Sequence, residues 1–237
     1  MTVNGIDIAA YGAQQWNVSQ EFAELSNESE WIEGTITPFM LKTITGFKTL
    51  KVTVMIRGST RQEIWKAASN LIASMLQPSV IKLDGFDHSY YMYLKNAEQA
   101  ETCLKRWHKA TMELVGYEYG SAVTVATSAR DLTITNEGNL ETPAVIEITP
   151  LIGLVSVTIT GIVRDTLTGA DKPVIVKELT MNKTVILNGE TGLITEAGAN
   201  KFAKVELWDL PSLLPGINNI TVNQDVTLKV TYKPRFL

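Results

Sequence analysis

The most constraining feature of this chain is a succession of short alternating segments that fills its second half. In the last of them Val226, Leu228, Val230 and Tyr232 alternate with Thr227, Lys229, Thr231 and Lys233, a period of two that sets an apolar row on one face of a strand and polar groups on the other. Similar segments read as strands at 132–134, 144–148, 155–163, 174–179, 184–187, 193–195, 204–208 and 217–222. Turn signals separate them at Glu137-Gly138, Leu167-Thr168-Gly169, Asn188-Gly189, Ala197-Gly198 and Pro215-Gly216. Short strands at this spacing, with no helical pattern between them, predict a β-sandwich or jelly roll. Pro234 has no N–H to give to a ladder, so pairing of the last strand should stop at Lys233. That strand is expected to pair inside the same sandwich, near the segment 132–148 that opens it. The apolar stretch 144–163 is long enough to cross a bilayer, but Glu147, Pro150 and Gly153 interrupt it. It reads as two strands joined by a Pro-Leu-Ile-Gly turn.

The first half is organised differently. Asn4-Gly5 feeds a short strand, and Tyr11, Trp16 and Phe22 anchor a loosely patterned opening. Between Ser26 and Gly46 the large residues Trp31, Ile32, Phe39, Met40 and Leu41 sit among Gly34, Thr35, Thr37, Pro38 and Thr43 with no periodic run. Such an arm either packs over its own domain or reaches onto a neighbour, since a large exposed apolar patch marks an interface. Residues 50–56 form a clean strand ended by Gly58. Over 59–77 the residues Ile64, Trp65, Ala68, Leu71, Ile72 and Met75 make one helical stripe. Ser59 with Gln62, or Thr60 with Glu63, supplies a capping box, and Pro78 is the expected stop. Strands are expected at 80–83 and 90–94 around an Asp84-Gly85 hairpin, then at 102–107 and 111–117. Residues 120–130 are small and uncharged until Arg130 and mark the domain boundary, dividing the chain into 1–125 and 131–237.

Composition excludes several functions. A formal charge of -4, with 21 basic residues spread along the chain, leaves no basic stripe for nucleic acid or an acidic membrane surface. Cys103 is the only cysteine, so no intrachain disulfide forms, and it reads as a small buried hydrophobe. The first residues carry neither a charged nor an apolar leader segment, which predicts a chain made and folded in a cytoplasm. The Asn-x-Ser/Thr matches at Asn17, Asn27, Asn182 and Asn219 therefore carry no message.

Candidate chemistry is sparse. His88 beside Asp84 and Asp87 lacks the further ligands a metal site requires, and His108 reads as an exposed or capping histidine in a turn. Glu178, Glu206 and Asp209 are the nameable acids for a glycosidase, but such acids are ordinary on the outer face of a sandwich. No nucleophile elbow, Walker loop or dinucleotide fingerprint is present. Trp208, Tyr232 and Phe236 could stack on a sugar, although Tyr232 shares the apolar row of its strand. These observations predict no catalytic residue, no metal and no cofactor.

Taken in order, the parts resemble the distal tail proteins of long-tailed phages, the ring-forming hubs between tail tube and tail tip. The resemblance rests on Asn4-Gly-Ile-Asp-Ile with Tyr11-Gly12, on Gly46-x-Lys48-x-Leu50, Arg57-Gly58 and the helix, and on Leu83-Asp84-Gly85 with Tyr90-Tyr91. It continues in Asn136-Glu-Gly138 with Pro143, in Trp208 followed by Leu213-Leu-Pro215-Gly216-Ile-Asn218, and in Tyr232-Lys-Pro234-Arg235-Phe-Leu237. No single motif is specific; their order over essentially the whole length is. Asn188-Gly189 departs from the aspartate expected before that turn, and the inserted carbohydrate-binding module of longer relatives is missing.

The resemblance implies a mainly β protein of two domains: an N-terminal β-sandwich-like domain with one α-helix, which closes a homohexameric ring, and a C-terminal galectin-like β-sandwich projecting outward. Trp31, Ile32, Phe39, Met40 and Leu41 become candidate belt residues between subunits. Trp208, Pro215, Gly216, Asn218, Tyr232 and Pro234 become core and motif positions of the second domain. The partners implied are other copies of the chain, the tail tube protein and a tail-associated or tail-fibre protein, at the tail tip of a virion. DNA would only pass through the central channel, and no membrane insertion is implied. The competing expectation is a carbohydrate-binding protein that attaches to the host cell wall.

Overall fold

The computed structural model describes the 237-residue chain except residues 24, 35, 38, 103–105 and 166–167, with backbone only for 27 and 39–43. Cys103 lies outside the described residues. The chain divides into two compact units, one of residues 1–119 with Leu237 and one of residues 120–236.

The first unit contains β1 (Thr2–Val3), β2 (Ile6–Asp7), β3 (Ala13–Glu21), β4 (Leu25–Glu30), β5 (Phe39–Thr45), β6 (Lys48–Arg57), α1 (Arg61–Ala73), β7 (Ser79–Lys82), β8 (Ser89–Glu101) and β9 (Trp107–Tyr119). Seven strands of this unit lie in one antiparallel sheet in the order β2-β1-β7-β8-β9-β6-β3, while β4 and β5 form a two-stranded ribbon with each other. Leu50, Val52, Val54 and Ile56 of β6 and Ala110, Met112 and Leu114 of β9 point inward. They meet Ile64, Ala68, Leu71 and Met75, the expected stripe of α1, in a single buried cluster. Thr60 and Glu63 form the capping box: Thr60 Oγ1 accepts from Glu63 N at 3.2 Å, and Glu63 Oε2 accepts from Thr60 N at 3.3 Å.

The helix ends at Ala73, short of the expected stop before Pro78. Met75 N and Leu76 N bond to Ile72 O and Ala73 O, three residues back. The last turn thus tightens into three-residue bonds, as helix ends commonly do, before Pro78 rules out any continuation. Two strand expectations also change. Residues 102–107 are not a strand of their own, since β8 runs to Glu101 and β9 starts at Trp107. His108 is a strand residue 3% exposed rather than a turn residue. Its Nδ1 lies 3.0 Å from Gln99 Nε2, and its ring meets Trp65 edge to face with centroids 6.2 Å apart.

The second unit contains β10 (Val123–Thr127), β11 (Asp131–Asn136), β12 (Thr142–Pro150), β13 (Leu154–Thr160), β14 (Val174–Leu179), β15 (Val185–Asn188), β16 (Ile194–Glu196), β17 (Ala199–Asn200), β18 (Val205–Glu206), β19 (Ser212–Leu213), β20 (Gly216–Val222) and β21 (Val226–Tyr232). One sheet runs β10-β21-β12-β15-β16-β17 with β19 on β12, and the other runs β11-β20-β13-β14-β18. Ile146, Ile148, Leu228 and Val230 of the first meet Val157, Ile159, Val174, Val176 and Ile220 of the second in one cluster, which makes the unit a β-sandwich. The closing strand β21 lies between β12 and β10. Its partner β12 falls in the expected segment. Its other partner, β10, comes from the stretch that reads as a boundary, because the alternation there is confined to Val123 and Val125 in a short edge strand flanked by small residues.

Candidate assembly interface

Beyond Glu21 the chain leaves the first unit's sheet and builds a separate ribbon. β4 and β5 pair from Leu25↔Thr45 to Glu30↔Phe39, with a register shift between Glu28 and Ser29. An isolated two-stranded ribbon is marginal in water unless something covers a face. Among the described residues of the ribbon the large ones face solvent: Trp31 is 66% exposed and Ile36 93%, with Leu25, Ile32 and Ile44 also exposed. None of them joins the unit's buried cluster. Each such side chain contributes roughly 1.5–3 kcal/mol when removed from water, so a partner covering several of them would gain appreciable affinity. Of the five belt candidates, Trp31 and Ile32 stand at the ribbon's loop end. Phe39, Met40 and Leu41 have their backbone in β5, and their side chains lie outside the described residues.

At the opposite end of β3 and β6 the same unit holds a cavity of about 740 Å³. Gly12 and Ala13, Arg57 and Gly58, Arg106 and Trp107 bring three strand ends to its wall, and Glu63 joins them from α1. Gly12 takes φ 65°, and its carbonyl accepts from Arg57 N at 3.0 Å. The Arg57 guanidinium lies 5.8 Å from the centre of the Trp107 ring. Sequence reasoning missed this cavity, because the residues that form it are separated by up to a hundred positions and none is unusual by itself.

A second feature absent from the sequence reading is the network on Glu118. Lys48, 3% exposed, pairs with Glu118 Oε2. Gln20 Nε2 donates to the same oxygen at 3.1 Å, and His88 Nδ1 lies 2.6 Å from Oε1. Burial pushes the Glu118 pKa up, but hydrogen bonds from Lys48, His88 and Gln20 outweigh it and hold the group below its ordinary value. Burial, reinforced by Glu118, pushes the Tyr90 hydroxyl up to about 12. His88 is thereby drawn into an ion-pair network rather than a site with Asp84 and Asp87. Among the described residues no group of three or more His, Cys, Asp or Glu is placed to hold a metal.

In the second unit the motif residues converge on one turn. Gly216 takes φ 84°. The Asn218 side chain, 1% exposed, accepts from Leu214 N at 3.0 Å and donates to Leu214 O and Gly216 O at 2.8 and 3.0 Å. Asn136 Nδ2 reaches Leu214 O at 3.2 Å. A Cβ on Gly138 would come within 2.5 Å of Arg235 O, so that position excludes side chains. Tyr232 is 4% exposed and its hydroxyl donates to Thr135 O at 2.9 Å; it is core, not part of a sugar platform. Pro234 is buried and its carbonyl accepts from Gly120 N at 2.8 Å. Trp208 remains outside, 67% exposed, with Lys172 Nζ 5.1 Å from its ring centre. Glu178 and Glu206 form surface ion pairs with Lys204 and Lys177, and Asp209 Oδ1 accepts from Leu210 N at 2.7 Å.

No protein-family model matches the sequence, and no curated protein matches it. Solved structures do match. The crystal structure of the Dit (gp 19.1) protein of phage SPP1, described as a paradigm of the hub adsorption apparatus in phages infecting Gram-positive bacteria, superposes with TM-score 0.79 at 15% identity. The match covers 99% of this chain and 98% of that one. A chain of the phage p2 baseplate in its activated conformation with calcium matches at TM-score 0.52 and 10% identity, over 96% and 92% of the two chains. The strontium form of that baseplate matches at 0.51 and 11%, over 98% and 94%. From end to end, this chain has the fold of the SPP1 Dit hub protein.

Proposed function

We propose that the chain is a structural subunit of a phage tail tip, of the distal tail protein kind. In this reading residues 1–125 close a homohexameric ring, with Trp31, Ile32, Phe39, Met40 and Leu41 in the belt that grips the next subunit. Residues 131–237 project outward as a galectin-like sandwich. The ring joins the tail tube to a tail-associated or receptor-binding component in the virion and acts by geometry alone. One observation carries the proposal: the match to the SPP1 hub spans both chains almost completely, so both units and their order are shared. The ribbon supports it, because its described large apolar residues are exposed and such a patch calls for a partner. Head-to-tail contacts between identical subunits close into a ring when the rotation per subunit fits.

Purified full-length protein, alone or with its tail partner, is expected to form rings in negative-stain images with a matching mass by light scattering. Changing Trp31→Ser together with Phe39→Ser should abolish the rings while circular dichroism stays unchanged. A strictly monomeric protein that binds cell-wall polysaccharide tightly would replace this reading with attachment to the host wall.

A further inference from the structure

Resting on the ring reading for its consequence alone, we infer that Glu118 is a positioning residue for the ribbon. Its carboxylate clamps both legs of the ribbon where they join the sheet and so fixes the direction in which the ribbon projects. Pairing between β3 and β6 stops at Glu21↔Thr49, and pairing between β4 and β5 resumes at Leu25↔Thr45 in a separate sheet. Each leg crosses a short unpaired joint between these points, with Phe22 and Ala23 on the way out and Gly46 and Phe47 on the way back. A few residues at element ends are what a hinge consists of. Glu118 reaches the sheet side of both joints. Gln20, one residue before β3 ends, donates to Glu118 Oε2 at 3.1 Å, and Lys48, the first residue of β6, pairs with the same oxygen. His88 Nδ1, just ahead of β8, lies 2.6 Å from the other oxygen.

The chemistry of the pair suits aiming better than adhesion. Among the described residues of the first unit, Lys48 and Glu118 are the buried members of the Lys, Arg, Asp and Glu set. Further along β6 the inward row continues as Leu50, Val52, Val54 and Ile56. A well-packed apolar pair would hold the core as firmly, since a buried ion pair recovers little beyond its own desolvation. What the carboxylate adds is direction, because its hydrogen bonds tolerate only a narrow range of distance and angle. Gly116 lies directly across from Lys48 and sets no side chain in the path of the lysine stem to Glu118, two residues on. Two outer clasps share the joint: Lys51 Nζ pairs with Glu21 Oε1 at 2.8 Å, and the Phe47 ring meets Tyr93 edge to face with centroids 6.0 Å apart. Their side chains are exposed, and exposed ion pairs contribute little, which leaves the aim to the buried carboxylate. A ribbon already pointing in its bound direction loses less freedom on assembly, and ring closure depends on the angle from one subunit to the next.

The test uses the full-length chain with Cys103→Ser, carrying nitroxides at Ser29→Cys on β4 and Ser69→Cys on α1. Excess unlabelled chain is added so that each assembly holds one labelled copy, and pulsed electron paramagnetic resonance reads the distance from ribbon to helix within one subunit. The parent is expected to give a single narrow distribution. Glu118→Gln should widen it about twofold or more with circular dichroism unchanged, and should raise the concentration needed for half-assembly about tenfold. Gln20→Ala, which cuts the outgoing leg alone, should widen it by a smaller factor, and it decides the matter if Glu118→Gln does not fold. Leu71→Ala removes packing under α1 instead and should leave the width as in the parent. A parent distribution that is already broad, a width that ignores Glu118→Gln and Gln20→Ala, or equal broadening by Leu71→Ala overturns the inference; none of these touches the ring reading. Broadening by Glu118→Gln in a parent that never forms rings upholds the clamp and removes the ring reading.

Discussion

The two units bury their apolar rows by different means. In the second, two sheets face one another, so the inward rows of β12, β21, β13, β14 and β20 disappear into one cluster. The first has one large sheet, which α1 covers with Ile64, Ala68, Leu71 and Met75, and it carries a ribbon whose described large side chains, Leu25, Trp31, Ile32, Ile36 and Ile44, stay out of that cluster. The second unit also exposes large residues, among them Ile152, Val155, Leu193 and Trp208. Each of these, however, belongs to a strand or loop anchored on a sandwich, and apolar residues scattered on a surface are ordinary. Five exposed large residues gathered on one two-stranded ribbon are not. The contrast supports the proposal that self-assembly resides in the first unit.

The units also differ in how polar groups enter the core, and the largest expected effect tests this. Lys48 sits beneath Glu118, which in turn ties Gln20 of β3 and His88 to β9. Lys48→Met removes one partner and leaves a mostly buried carboxylate short of its counter-charge. The expected cost is about 3 kcal/mol, read as a lower unfolding midpoint for the first unit with the second unchanged. Equal shifts in both units would dissolve the distinction drawn here.

The reciprocal change is Asn218→Ala. It deletes three hydrogen bonds that hold the turn at Leu214 and Gly216 and leaves the Leu214 carbonyl with the bond from Asn136 alone among the described ones. About 2 kcal/mol should be lost, this time from the sandwich alone, as measured by denaturant titration with hydrogen exchange.

Acid should separate the units a third way. Glu118 in the first and Glu196 in the second are both held below the ordinary carboxylate value. For Glu196 burial opposes the shift, and Lys201 at 2.9 Å with the Thr180 amide overcomes it. Because these folded-state values are depressed, their stabilisation is complete above the ordinary carboxylate range and is lost as pH falls through the lower folded values. Glu118→Gln should flatten the acid limb of the first unit's stability curve and Glu196→Gln that of the second. A single limb that ignores both changes would show that other acids control it.

Much of this fold is legible in the residues. Val174–Leu179 and Val226–Tyr232 have the bounds expected of them; the second has a clean apolar row over a polar one, whereas the first is marked by its Val-Ile-Val run, and Glu178 breaks its alternation. The far half of β8 is not legible: Asn96-Ala-Glu-Gln-Ala-Glu101 has neither alternation nor β-branched residues. It is a strand because β9 pairs along its length past a register shift at Leu94/Asn96. His108 misleads for a related reason, since only the tertiary neighbours Gln99 and Trp65 make a buried histidine acceptable. For the interface, Trp31 and Ile32 stand out because nothing around them repeats. The cavity does not, because Gly12, Arg57, Arg106 and Glu63 become neighbours only when the sheet forms. The motif residues Asn136, Gly138 and Asn218 carry the resemblance, yet each has a structural task, which is why spacing by itself points to no chemistry.

The smallest expected effect concerns Trp208, and it sharpens what the second unit is for. Its ring is mostly in solvent, and its one ring contact is the Lys172 ammonium, which also pairs with Asp165 at 3.1 Å. An exposed cation–π contact contributes about 0.5–1 kcal/mol, so Trp208→Ala should change stability by no more than that and leave ring formation intact. A protein that held cell-wall polysaccharide through this face would lose its binding with the same substitution, because aromatic stacking would be the main apolar contact left once Tyr232 is committed to the core. Measuring polysaccharide retention in parent and variant beside the oligomeric state therefore separates the two uses of the sandwich. Equal, negligible retention in both fits a projection that holds other tail components in place, whereas retention that vanishes with Trp208 makes the sandwich a receptor-binding surface.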